Sequence, residues 1–196
     1  MSTQGKDTRT HILATGRRLA ARNGYIGVGI GELLKEAGVP KGSFYHYFAS
    51  KEAYGCALLQ DFVRDYDDRL HASLDDSAPT ARARFLAYFA DWRRRQVSPC
   101  PEDRCLVVKL AAEVADLSPE MNAILQQAVT NIVGRLATTL QEGVTEGSIA
   151  PIDDPTATAE AIYHQWLGAS LVASLLHHDA PLEAAMRVTE RLVPHP

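Results

Sequence analysis

Apolar residues recur three and four positions apart along most of the chain, and no stretch alternates with the period of two that a half-buried strand needs. Ile12, Leu13, Leu19 and Ala20 predict a first helix from about Thr8 to Asn23, with Asp7 as N-cap and Gly24 as terminator. Residues Ile30 to Ala37 predict a two-turn helix. Gly29 would cap it, Glu32 would complete a capping box, and Gly38 fits the position that stops it. Pro40 then suits the first turn of a very short helix that ends near Phe48. Ser50 caps a long helix to about Leu74, bearing Ala53, Ala57, Leu58, Phe62, Tyr66 and Leu70. A break at 75–79 precedes a helix from Thr80 to about Gln96, with Phe85, Leu86, Phe89 and Trp92 on one side. Pro99 and Pro101 make 97–104 a loop, and Cys105 to about Asp116 resumes helix. Ser118-Pro119-Glu120 and Asp154-Pro155 are start signals for helices reaching Glu146 and about His177, and Pro181 opens a last helix to about Leu192. The pattern is that of an all-α protein of about nine helices.

Two short helices joined by the Gly38-Val39-Pro40 turn make a helix-turn-helix, whose second helix is short enough to enter a DNA major groove end-on. Charge distribution agrees. The net charge of −4 over 196 residues argues against nucleic acid when taken alone. Residues 1–51, however, hold eight Lys/Arg against three acids, a balance of +5, which leaves −9 on the remainder. Phosphate affinity is thereby confined to one end of the chain. The expected organisation is a DNA-binding domain at 6–66 and a helical sensing and dimerisation domain at 67–196.

Within the second short helix, Lys41 and Lys51 offer cations for flanking phosphates, and Ser43, Tyr45 and Tyr47 offer hydroxyls near a helix N-terminus. Gly42 lets the backbone approach a base edge or a thymine methyl. Phe44 and Phe48, four apart, read as core residues pinning the helix to its neighbours. On residue types alone the same lysines and tyrosines also fit a solvated amphipathic face. His46 fits a DNA contact and a non-contacting surface position equally.

Other function classes find little support. A cysteine-dependent enzyme could be argued from Cys105 and seven histidines, but no phosphate loop, metal motif, nucleophile elbow or paired-carboxylate arrangement accompanies them. Neither a cofactor nor a metal is implied, and the pair Cys100 and Cys105 lacks the second ligand pair of a zinc site. The least polar run, Leu167 to Leu176, is too short to span a bilayer. Three cysteines, an odd number, and no leader-like N-terminal segment point to a reducing, cytoplasmic location.

The first 55 or so residues resemble the TetR family of bacterial transcriptional regulators. The resemblance is carried by Gly24-Tyr25, Glu32-Leu33, Ala37-Gly38-Val39, Gly42-Ser43-Phe44-Tyr45-His46-Tyr47-Phe48 and Ser50-Lys51. It implies a homodimeric repressor on a near-palindromic double-stranded operator, responding to a small-molecule effector or electrophile. It also implies DNA contacts by Lys41, Gly42, Ser43, Tyr45, Tyr47 and Lys51, with His46 in the same segment. A narrower resemblance, to the N-ethylmaleimide-responsive repressors within that family, rests on Asp7-Thr8-Arg9, Leu13-Ala14-Thr15-Gly16, Val39 to Phe48, Cys105 to Leu110, Ala112-Glu113-Val114, Asp116-Leu117-Ser118 and Trp166-Leu167-Gly168-Ala169. It implies sensing of reactive species through a cysteine.

Cys105 is the candidate. At a helix start, beside Arg104 and with Lys109 four residues on, its thiolate would be favoured, although a small buried hydrophobe is the commonest fate of such a residue. Cys100, in the loop, would be a resolving thiol or a spectator, and Cys56 reads as packing. The chain departs from the group at Ser174, where relatives carry a lysine. Release by a noncovalent apolar ligand in a helix-bounded pocket stands as the alternative to thiol sensing.

Overall fold

The computed structural model describes residues 3–75 and 78–196, and among these residues nine α-helices and no strand are found. In order they are α1 (Thr3–Asn23), α2 (Ile30–Ala37), α3 (Lys41–Tyr47), α4 (Lys51–Asp75), α5 (Ala81–Gln96), α6 (Leu106–Ala115), α7 (Pro119–Glu146), α8 (Pro155–Leu176) and α9 (Ala180–Leu192). One 3-10 turn, Pro101–Asp103, precedes α6. Asp76 and Ser77, in the expected break, lie outside the described residues.

Side-chain caps fix the starts of α4, α5, α7 and α8. Ser50, Thr80, Ser118 and Asp154 accept the backbone N–H groups of Ala53, Ala83, Met121 and Ala157 at 3.0, 3.2, 3.2 and 2.9 Å. Each such cap contributes about 1 kcal/mol. Gly38 adopts φ 64°, and the N–H groups of Gly38 and Val39 return to the carbonyls of Lys35 and Leu34. This double closure requires a left-handed residue, which glycine adopts without a Cβ penalty.

Several expected ends differ. Helix α1 begins at Thr3, so Asp7 lies inside it rather than capping it; no proline precedes Thr8 to halt the helix. Pro40 is the N-cap of α3 rather than a first-turn residue, its extended ψ of 151° turning the chain into the helix. The capping box of α2 does not close, because Glu32 lies instead 3.5 Å from the amide of Asn23. Cys105 is the N-cap of α6, one residue ahead of its first turn.

The chain divides into two compact units, Met1–Asp65 with Cys100–Gln127 and Tyr66–Pro99 with Ala128–Pro196. In the first, Phe44, Phe48 and Tyr54 form an aromatic cluster with centroid separations of 5.3 to 5.5 Å. His11 Nε2 lies 3.0 Å from the Ala37 carbonyl, and Arg17 pairs with Asp65 at 2.6 Å, fastening α1 to the end of α2 and to α4. In the second, Phe89 stacks on Trp166 at 4.9 Å, and Trp92 meets Tyr163 edge-on at 5.6 Å. The two buried indole N–H groups donate to Ser170 Oγ at 3.0 Å and Thr189 Oγ1 at 2.9 Å, which accounts for hydroxyls in this core. Ala173, on α8, is buried. His177 and His178 lie beyond the last turn of α8.

Candidate DNA interface and thiol segment

Helix α3 has seven residues, so at 1.5 Å per residue it is about 10 Å long. Phe44 is fully buried and Phe48 nearly so, which fixes the helix by one face and turns the other outward. Lys41, Gly42, Tyr45 and His46 are exposed, Tyr45 at 50%, while Ser43 and Tyr47 are partly covered. His46 and Tyr47 rings meet edge-on at 4.9 Å. A Cβ built on Gly42 would meet nothing within 4 Å, so the protein's own packing does not require glycine there. Six of the seven expected DNA-contacting residues therefore share one short helix.

Lys51 is the exception. It opens α4, is partly buried, and its Nζ lies 5.2 Å from the centre of the Tyr25 ring. Tyr25 in turn donates its hydroxyl to the Lys51 carbonyl at 2.7 Å. Burial, with Cys56 and Glu52 adding to it, pushes the Tyr25 phenol from 10.0 up to about 12.

The three cysteines, all thiols, sit in different surroundings within the first unit. Cys105 is half-buried and leads into the ten residues of α6, so its side chain stands at the positive end of that helix. Lys109, exposed, returns its backbone N–H to the Cys105 carbonyl at 3.4 Å. Cys100 is exposed and caps the 3-10 turn. Burial first, then the carboxylates of Glu52 and Glu120, push the Cys56 thiol up, which disfavours its thiolate.

Two contacts within the first unit are not signalled by any spacing in the chain. Glu113 Oε2, from α6, accepts the N–H of Ile26 at 2.9 Å, and Arg22 lies 3.7 Å from Glu102. Only the fold brings these residues together, although Glu113 belongs to one of the segments that carry the narrower resemblance. A cleft of about 300 Å³ adjoins them, lined by Tyr25, Ile26, Lys51, Glu52, Leu117, Ser118 and Met121. No group of three or more His, Cys, Asp or Glu able to hold a metal occurs among the described residues. No helix among them is long and apolar enough to cross a membrane.

Residues 12–53 match the model of the bacterial regulatory proteins of the tetR family, and residues 81–189 match a tetracyclin repressor-like C-terminal domain. The HTH-type transcriptional repressor NemR of Escherichia coli K12 is 38% identical over 97% of this chain and 96% of its own. The transcriptional regulator AcuR of Cereibacter sphaeroides is 35% identical over 92% of this chain and 82% of its own. The crystal structure of reduced E. coli NemR superposes with a TM-score of 0.92, covering 97% of this chain and 98% of that one. With a helix-turn-helix whose α3 is anchored by Phe44 and presents Lys41, Gly42, Tyr45 and His46, the chain belongs to the TetR family of DNA-binding transcriptional regulators and is not an enzyme.

Proposed function

We propose that this protein is a homodimeric repressor that holds a near-palindromic operator through α3 and leaves it when an electrophile or oxidant modifies Cys105. The observation that carries the reading is the position of Cys105. It is half-buried at the N-cap of α6, within the same compact unit as the recognition helix. The likeness to a repressor whose solved form is described as reduced supports it. With a maleimide the chemistry is a simple addition. The thiolate sulfur bonds to one alkene carbon, and the electron pair released onto the other takes a proton from water, with no oxidant needed. Lys41, Ser43, Tyr45, Tyr47 and, after leaving Tyr25, Lys51 would engage phosphates, with Gly42 nearest the bases and His46 beside them.

Dimerisation is supported by the outward face of α8. Ala157, Ala161, His164, Gly168, Leu171, Val172 and Leu175 recur three to four apart and are exposed in the single chain, Leu175 at 69%. A second copy would cover that stripe, and the small residues would let the helices approach closely. A noncovalent trigger finds support in the cleft beside Tyr25 and Met121, which is apolar on several sides.

The deciding experiment measures operator release by N-ethylmaleimide for the parent, Cys105→Ser and Cys100→Ser proteins, with mass spectrometry of the adducts. Release of the parent and of Cys100→Ser, with Cys105→Ser still bound, is the expected result. Equal release of Cys105→Ser would exclude the thiol switch and favour a ligand in the cleft.

A further inference from the structure

We propose that Glu113 is the positioning residue through which the Cys105 helix holds the DNA-reading module, an inference that rests on the thiol reading for its trigger. The last turn of α1 and the turn that follows it are each gripped by the segment that carries Cys105. Before Cys105, Glu102 lies 3.7 Å from Arg22; after it, Glu113 accepts the N–H of Ile26 at 2.9 Å. The first contact is exposed and contributes little to stability. The second is a charge-assisted hydrogen bond to a backbone group, and it sets where the chain turns into α2.

Gly24 shows how close this approach is. Its φ of 77° favours glycine, and a Cβ there would lie 2.2 Å from Glu113 Oε1. The carboxylate therefore occupies the space any side chain at position 24 would need. Tyr25, next in sequence, is buried and bonded to the Lys51 carbonyl, so a displaced turn would also disturb the start of α4. Because α6 is a single rigid helix, a bulkier sulfur at its N-cap shifts its far end, and Glu113 with it. The helix-turn-helix then loses its external hold at the one point where α1 gives way to α2.

The test uses the full-length protein, a duplex selected by the parent from a random library, and N-ethylmaleimide. Parent, Glu113→Ala and Glu113→Gln are compared for duplex affinity and for deuterium uptake at residues 24–29, before and after alkylation. The glutamine amide oxygen can still accept the Ile26 N–H, so Glu113→Gln should stay near the parent in both. Glu113→Ala should lose about tenfold in affinity and exchange faster at 24–29, a coupling of ordinary allosteric size. Alkylating the parent should raise uptake at the same amides, and alkylating Glu113→Ala should change its remaining affinity less than about twofold. The proposal is overturned if unmodified Glu113→Ala binds like the parent, or if alkylation releases it by the parent's factor. A parent that carries the Cys105 adduct yet stays bound would sink the thiol reading alone. The unmodified variants would still decide whether Glu113 positions the turn.

Discussion

The hydroxyl of Tyr25 donates to the backbone carbonyl of Lys51 at 2.7 Å, while the Lys51 ammonium lies 5.2 Å from the centre of the Tyr25 ring. One tyrosine thus ties the end of α1 to the start of α4 and holds a cation that belongs to the DNA-reading end of the chain. The arrangement makes Tyr25 a structural residue, and under the proposed DNA contact Lys51 must first leave the ring.

Folding keeps the Tyr25 phenol neutral, raising it to about 12, and pushes Tyr54 up as well through burial. A raised phenol stabilises the fold fully below its unfolded value of 10.0, and that contribution is lost as pH rises through the folded value. Alkaline unfolding between pH 10 and 12, followed by tyrosinate absorbance and helical circular dichroism, should therefore be cooperative. Tyr25→Phe should remove part of that transition and lower stability by about 1 kcal/mol at neutral pH, since one hydrogen bond is lost while the ring remains. An unchanged midpoint in both would rule this assignment out.

Phe44 and Tyr45 are neighbours with opposite duties. Phe44→Ala empties a fully buried site and should cost about 3–5 kcal/mol, enough to unfold the small module. Tyr45→Ala removes a side chain that is 50% exposed, so thermal stability should move by less than about 0.5 kcal/mol. Duplex affinity should nevertheless fall. Thermal melts and duplex titrations of the two variants check both statements.

Gly42→Ala meets no steric obstacle inside the protein and replaces a poor helix former, so melting should hold or rise slightly, by up to about 1 kcal/mol. If α3 enters the groove as proposed, the new methyl faces the bases. Binding should weaken and sequence preference change, by about 1–3 kcal/mol at the base pair it faces. Selection of duplexes from a random library by both proteins would reveal the altered preference.

Leu175→Glu places a charge at the C-terminal end of the exposed apolar face of α8. If a second copy covers that face, the variant should sediment as a monomer at micromolar concentration with its helicity intact. It should also bind a palindromic duplex at least about a hundredfold more weakly, because the two half-sites no longer share one dimer. A Leu175→Glu dimer would show that the protomers meet elsewhere.

Much of the fold was legible because helix ends are local chemistry. Ser50, Ser118 and Asp154 cap the helices their sequence announces, and Gly24 and Gly38 stop theirs, since each needs only the few residues on either side. The buried role of Phe44 and Phe48 followed equally from spacing on one short helix. Asp7 misled for the same reason: a good cap residue does not end a helix that nothing upstream interrupts.

The sequence by itself determined the all-α class and the order of the helices. These depend on 3.6-residue periodicity and on interactions between residues within four positions of each other. Only the tertiary structure decided what Lys51 and Glu113 touch. Lys51 reads as an exposed cation until Tyr25 is brought beneath it. Glu113 bonds a backbone group 87 positions away. Contacts over such separations arise when packing of whole helices closes long loops, and no local pattern records which partner will arrive.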